Sequence, residues 1–365
     1  MDNDISPWLA LKSVNGIGNI LYKRLINSFN TPLEIFKASL KDLAKTEGMT
    51  LKKAENIKKA KETDFIKQEI RTAELENIKI VHLNHKDYPQ LLKEIPDPPP
   101  VLYIKGDHPS DIVSIAVVGS RNAGNEGRAK ASVLSTALSE YGIRVTSGMA
   151  LGIDGAAHSA ALKHTGGTTA VLGSGLLNIY PREHRTLFKK ITETGAAVSE
   201  FALHSKPDAH NFPARNRIIS GLSIGVIVIE AGEKSGALIT ADLAADQGKD
   251  VFTADLKQTN SPGTQKLNDL GARKINTFKE LLNEYPWIGF KNNNIDNNKK
   301  TLDFSETLVI KALKKSQSPL HIDELCRDCG INYSNSMGAV ILNLELKGFI
   351  KQLPGKFYYL IKDEN

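Results

Sequence analysis

Ser114-Ile115-Ala116-Val117-Val118-Gly119-Ser120-Arg121 decides how this chain is read: a short β-branched run stops at a glycine and is followed at once by a hydroxyl and a guanidinium. A buried parallel strand opens in this way into a loop able to hold an anion. The pattern recurs where residues 144–147 lead into Gly148-Met149-Ala150-Leu151-Gly152-Ile153-Asp154, and Phe212-Pro213-Ala214-Arg215-Asn216-Arg217 adds two arginines. Two glycine loops and a paired-arginine segment predict a phosphate-binding crest.

Around it, β-rich runs at 114–118, 144–147, 168–172, 197–199, 224–229 and 250–253 alternate with amphipathic stretches at 128–141, 154–164, 183–193 and 238–247. Strands separated by helices pair in parallel through right-handed crossovers. The prediction is an α/β fold with a Rossmann-like, doubly wound, mostly parallel sheet over residues 94–286. Ligands of such sheets sit outside the carboxyl ends of the strands, where every glycine-rich loop here falls. A dinucleotide site does not fit the spacing. After the first of these strands the glycines are Gly119, Gly124 and Gly127, not G-x-G-x-x-G; Gly173-Ser174-Gly175 lacks a third glycine, and no P-loop pattern occurs.

The 365 residues, 41% hydrophobic and 24% charged, suffice for a core and for two or three domains. No apolar run approaches the roughly 18 residues of a membrane span, the first residues are acidic, and Cys326 and Cys329 are the only cysteines. A cytoplasmic protein with no membrane partner and no disulfide framework is expected. The net charge of +6 is unevenly placed: Lys and Arg exceed Asp and Glu by four over 1–93, equal them over 94–290, exceed them by two over 291–302 and equal them thereafter. A neutral central domain must gather its arginines locally to hold nucleic acid, because longer-range attraction is screened within roughly 8 Å at physiological salt.

The flanks read as smaller modules. Residues 1–93 are expected to form a helical domain of helix-hairpin-helix or SAM-like type. Val14-Asn15-Gly16-Ile17-Gly18 and a looser copy around Glu47-Gly48-Met49 are either phosphate-meeting hairpins or plain turns in a bundle. Residues 287–302, rich in Asn and Lys, read as a flexible linker. Over 303–365, three helices (305–314, 322–329, 334–347) and a hairpin at 349–361 predict a winged helix-turn-helix, suited to docking protein or to binding DNA weakly.

Arg121, directly after the first central strand, is placed to pair with a phosphate beside a nest of backbone amides at Gly119 and Ser120. Arg215 and Arg217 flank Asn216; in an extended loop they would point to opposite sides, one toward the ligand and one bracing the loop or an acid such as Glu230. Phe212 is placed either to stack a base or to fill the core. Gly148 belongs to the second loop, and Ser235-Gly236 opens a helix whose amides can hold another phosphate or simply allow close packing. Asp154, His158, Glu200 and Glu230 are the acid-base candidates near the crest. Asp154 and His158 share a helix face but have no metal signature, so a cap or packing contact is the simpler reading. Cys326-x-x-Cys329 lies in an expected helix with only His321 nearby, which favours packing over zinc or redox chemistry.

Val117-Val118-Gly119-Ser120-Arg121, Ser147 to Asp154 with Ala157-His158, Tyr180-Pro181, Ser199-Glu200, Phe212 to Ile219, and Ser235-Gly236-Ala237-Leu238-Ile239-Thr240-Ala241 resemble, in this order, the bacterial DNA-processing protein A family, also called DprA or Smf. The resemblance covers roughly residues 98–282. It implies a protein that binds single-stranded DNA with little sequence preference, forms a homodimer and loads the recombinase RecA during natural transformation, with single-strand-binding protein as a further candidate partner. Carried over by residue, it points to Gly119, Ser120, Arg121, Phe212, Arg215, Asn216 and Arg217 as the strand-binding set. No catalytic residue, metal or cofactor is expected. The chain departs from the family pattern at Ala254-Asp255, where relatives carry Pro-Gly, and at Gln265, where Asn is usual. Two other classes compete with this one. A nucleotide phosphoribohydrolase of the lysine-decarboxylase-like group would carry P-G-G-x-G-T-x-x-E, whereas Glu230-Ala231-Gly232-Glu233-Lys234-Ser235-Gly236 lacks the double glycine and the spaced Glu. A winged-helix regulator with a ligand-sensing sheet would bind duplexes sequence-dependently.

Overall fold

The computed structural model describes residues 4–257, 260–285, 304–316, 318–330, 337–346, 348–353 and 355–361. The expected linker at 287–302 lies outside them. Two compact units emerge, Met1–Asn283 and Glu284–Asn365.

The first unit is built on a nine-stranded sheet: β1 (Ile78–His82), β2 (Val101–Gly106), β3 (Ser114–Val118), β4 (Arg144–Ser147), β5 (Thr168–Val171), β6 (Ala196–Ser199), β7 (Gly225–Val228), β8 (Asp250–Ala254) and β9 (Arg273–Ile275), in the order β1-β2-β6-β5-β4-β3-β7-β8-β9. From β6 to β9 every pairing is parallel; β2 joins β6 antiparallel, and β1 joins β2 antiparallel. β3 through β7 are buried at every position, as strands covered by helices on both faces must be. The chain runs outward from β3 through β4, β5 and β6, then returns to β7 on the other side of β3. The loops after β3 and β7 therefore flank a topological switch point, where side chains from two directions of winding converge.

Three strands fall outside the expected set. β1 sits within the segment expected to be helical, and β2 and β9 add to the six strands that the apolar runs predict. The helices before β1, including Ser6–Lys12, Asn19–Phe29, Leu51–Lys58 and Asp64–Leu75, follow from local chemistry. Thr50 and Thr63 accept the N–H of the residue three further on, satisfying a donor that has no partner inside the helix. Gly16, at φ +90°, makes the tight hairpin between the first two. Their apolar faces (Trp8, Leu11, Tyr22, Leu25, Ile57, Ile66) join one core with the sheet residues.

The second unit has helices Phe304–Lys315, Ile322–Cys329 and Gly338–Leu346 and strands β10 (Leu320–His321), β11 (Ile350–Leu353) and β12 (Phe357–Leu360), ordered β10-β12-β11. This is a winged helix closed around Val309, Leu313, Leu325, Ile341, Leu344 and Ile350. Cys326 and Cys329 pack against that core, and burial together with neighbouring aspartates raises both thiols above their ordinary values. That is opposite to the shift a reactive thiolate needs.

Two of the three buried imidazoles in the first unit, His108 and His158, resist taking up a proton. His158 Nδ1 lies 2.7 Å from Thr168 Oγ1 while its Nε2 has no partner, and His108 is buried beside Arg144. Burial lowers His108 to about 4 and His158 to about 3. An unfolded imidazole binds its proton near 6.5, so below that pH the unfolded chain holds protons that the native chain refuses until about 4 and 3. These groups contribute full stability above about pH 6.5 and lose it as pH falls toward 3. Thermal unfolding should show Tm dropping between about pH 7 and pH 4, with a smaller drop in His158→Gln; equal drops in the two proteins would contradict this account.

Candidate nucleic-acid interface

At the carboxyl ends of β3, β4 and β7 lies a groove of about 890 Å³. Its first wall is the loop after β3. Ser120 N–H donates to the Glu230 carbonyl at 2.7 Å and Ile153 N–H to the Ser120 carbonyl at 3.2 Å, so this loop is held by β7 on one side and by helix Ile153–Ala161 on the other. A Cβ on Gly119 would stand 2.6 Å from Ile153 Cγ1 and 2.9 Å from the Glu230 carbonyl oxygen, so only glycine permits that approach. Pinned there, Ser120 turns its hydroxyl back to accept the Asn122 N–H, and Arg121 projects into solvent.

The second wall corrects the extended-loop expectation: residues 211–221 form a helix, Asn211–Gly221, with Phe212 and Pro213 in its first turn. Helical spacing puts residues two apart on nearly opposite faces, and that separates the two arginines. Arg215, on the groove side, is buried; it donates to the carbonyls of Gly148 (2.7 Å) and Val171 and to Asn216 Oδ1 at 3.3 Å. Burial lowers its guanidinium to about 10, with Asp154 opposing and Arg121 adding to the shift, so it stays charged at neutral pH. Arg217 points away from the groove and is locked between Asp97 (2.9 Å) and Glu200 (2.5 Å). The bracing acids are therefore Asp97 and Glu200, not Glu230, and the place expected for Arg217 in a strand-binding set is taken by an internal ion triad.

The other expected residues gather well. Gly119, Ser120, Arg121, Phe212, Arg215, Asn216, Ser235 and Gly236 all line the groove, and Gly148 borders a smaller hollow beside it together with Arg121, Phe212 and Arg215. The Phe212 ring is the pivot: the guanidinium carbons of Arg121 and Arg215 lie 5.5 and 6.0 Å from its centroid, and the Tyr180 ring centroid lies 5.5 Å away, tilted by 51°. Ser235 caps helix Gly236–Asp246 by accepting the Ala237 N–H, and Asn216 Nδ2 donates to the Gly236 carbonyl, fixing that helix start to the arginine helix. Lys234 and Tyr180 also line the groove, although neither belongs to the site set expected from the sequence. The signal for Lys234 is its place two residues before Gly236, in a loop whose composition suits an anion.

The acid-base candidates have structural tasks. Asp154 accepts the N–H groups of Gly148 (3.1 Å) and Ala150 (3.3 Å), and burial raises its carboxyl while Arg215 opposes the shift. His158 meets Thr168, and Glu200 holds Arg217. Glu230 turns beneath the first loop, where its two oxygens lie 3.3 and 3.1 Å from Gly124 N. Among the described residues no group of His, Cys, Asp and Glu is placed to hold a metal, and no helix is long and apolar enough to cross a membrane. What remains free is cationic: Arg121 and Lys234 are exposed and make no ion pair with another described residue.

Residues 79–286 match the family model for DNA recombination-mediator protein A, residues 297–356 the DprA winged helix domain, and residues 9–61 a SAM-like helix-hairpin-helix tandem. The chain is 42% identical over 264 residues to Protein Smf of Synechocystis sp., covering 71% of this chain and 65% of that relative, just under two thirds. It is 34% identical to Protein Smf of Escherichia coli, covering 98% of this chain and 96% of the relative. The X-ray structure of DNA processing protein A from Streptococcus pneumoniae superposes with a TM-score of 0.63 at 31% identity, covering 77% of this chain and 98% of that one. The Helicobacter pylori DNA processing protein A, described for its single-stranded DNA binding mode, superposes at 0.53 with 28% identity over 57% of this chain and 96% of its own.

Removing one partner of a buried ion pair leaves the other charge uncompensated, at a cost of about 3–5 kcal/mol. Arg217→Ala should lower the urea midpoint accordingly. An unchanged midpoint accompanied by weakened binding of oligonucleotide would return Arg217 to the groove.

Proposed function

The chain belongs to the DNA-processing protein A family, the family of the DNA recombination-mediator model, and on that premise we propose that its groove grips single-stranded DNA with little sequence preference and breaks no bond in it. The observation that carries this reading is the free Arg121 guanidinium beside the Phe212 ring at the mouth of a groove whose other exposed cation, Lys234, stands at a helix start. Phosphates meet Arg121, Lys234 and the Gly236 N–H that opens helix Gly236–Asp246. An unpaired base stacks on the aromatic pair Phe212 and Tyr180, worth about 1–3 kcal/mol. Paired bases in a duplex turn no face outward, so the groove favours single strands. Arg215 acts from behind, holding the Gly148 loop and the Phe212 ring in place.

A grip made by two exposed cations on a neutral domain is moderate and exchangeable, as handing a strand to another protein requires. We read the chain as a homodimer that loads RecA onto incoming single strands in transformation and recombination, with single-strand-binding protein as the competitor it works against, acting in the cytoplasm. A second groove in a dimer raises avidity without new contacts.

Arg121→Ala should weaken binding of a thymidine oligomer at least tenfold, about 1.4 kcal/mol. The slope of log K against log salt should fall by about 0.7, the share of the single phosphate that the guanidinium would neutralise. Fluorescence anisotropy at two salt concentrations measures both. Unchanged affinity and slope would remove the groove as the binding site, and release of ribose 5-phosphate from nucleoside monophosphates would make the protein an enzyme instead.

A further inference from the structure

The loop after β3 leads into helix Asn125–Glu140, sixteen residues long, whose N-cap Gly124 provides no side-chain cap. A helix start of this kind at a switch point is where a Rossmann-like sheet receives the phosphate of a bound nucleotide, because free amides and the helix dipole both favour an anion there. Here an anion is already built in. The Glu230 carboxylate, from the segment after β7, meets the Gly124 N–H at 3.1 and 3.3 Å. Glu230 is 8% exposed and forms no ion pair with another described residue. Gly127, in the first turn, leaves the room it needs: a Cβ there would lie 2.2 Å from Oε2 and 3.3 Å from Cδ. A buried carboxylate without a cation is costly unless dipoles replace its water, and here the N-cap amide of Gly124 supplies one.

We infer that Glu230 is a specificity-determining residue: its carboxylate occupies the phosphate position at the start of helix Asn125–Glu140 and denies it to mononucleotides and dinucleotides. A phosphate brought to the same amide would meet a fixed like charge. A small nucleotide thus loses a second anchor for its phosphates and keeps only what the outer cations give one phosphate, whereas a polymer engages Arg121 and Lys234 with several phosphates at once. The consequence for DNA rests on the reading of the groove given above; the occupancy of the helix start by Glu230 does not.

The test compares the full chain with Glu230→Ala and Glu230→Gln, using inorganic pyrophosphate as the probe at constant ionic strength and thermal unfolding as the readout. Pyrophosphate should raise the Tm of Glu230→Ala saturably, on the order of 2–4 °C at ten times its Kd, above any rise that Arg121 and Lys234 give the parent and Glu230→Gln, whose amide still fills the space. An equal rise in the parent, or a folded Glu230→Ala that shows no rise, overturns the inference. If Glu230→Ala does not fold alone, it is refolded from urea with and without pyrophosphate; recovery only with the anion supports the inference and failure in both overturns it. No DNA enters this experiment, so its failure leaves the groove reading standing, and loss of that reading in the oligonucleotide titration leaves this result interpretable.

Discussion

The bond from Ser120 N–H to the Glu230 carbonyl, 2.7 Å long, is the constraint on which the groove depends. It ties the end of the central strand to the segment after β7 across the point where the winding of the sheet reverses. With the bond from Ile153 N–H to the Ser120 carbonyl it makes the β3 loop a shared edge of three elements. A side chain at Gly119 would separate them. Arg121 therefore leaves the sheet in a direction set by backbone, not by its own partners, which is why it can stay unpaired and still be placed.

Charge inside this domain is sorted by depth. Arg215 and Arg217 lie two positions apart on one helix and are both buried, yet one satisfies carbonyl oxygens behind the groove and the other satisfies acids on the far side. Neither can shed counterions to a strand, since neither has counterions to shed. Only the exposed cations do so, and a domain in which Lys and Arg equal Asp and Glu over 94–290 can have a local cationic mouth because the acids around it, Asp154, Glu200 and Glu230, are buried and hydrogen-bonded.

The sequence disclosed the centre of this architecture better than its margins. β3 and β7 were legible because both faces are covered, so Ile115-Ala116-Val117-Val118 and Val226-Ile227-Val228 are unbroken apolar runs, and β4 to β6 because small or β-branched residues follow at the same spacing. β1, Ile78-Lys79-Ile80-Val81-His82, carries only five residues in a neighbourhood of helices, and its place comes from pairing with β2. Helix Asn211–Gly221 was hidden for two reasons. Pro213 reads as a break although the first turn tolerates it. Two arginines and an asparagine inside the helix read as a surface loop although all three are buried. The position of Glu230 against Gly124 joins residues far apart in the chain, and no local pattern announces it.

Glu200 has a further set of neighbours. Lys12 Nζ donates to its backbone carbonyl, and Asn19 Nδ2 reaches its carboxylate at 3.5 Å. Burial lowers the Lys12 ammonium while Glu200 and Glu69 pull it back up. The acid that clamps Arg217 is thus also the anchor for the first two helices of the chain. The amino-terminal bundle and the arginine helix share a keystone. A fragment that began with the sheet would lose its lysine and asparagine neighbours there and bare the apolar surface they cover, so the bundle belongs to the sheet's own architecture and is not an appendage strung before it.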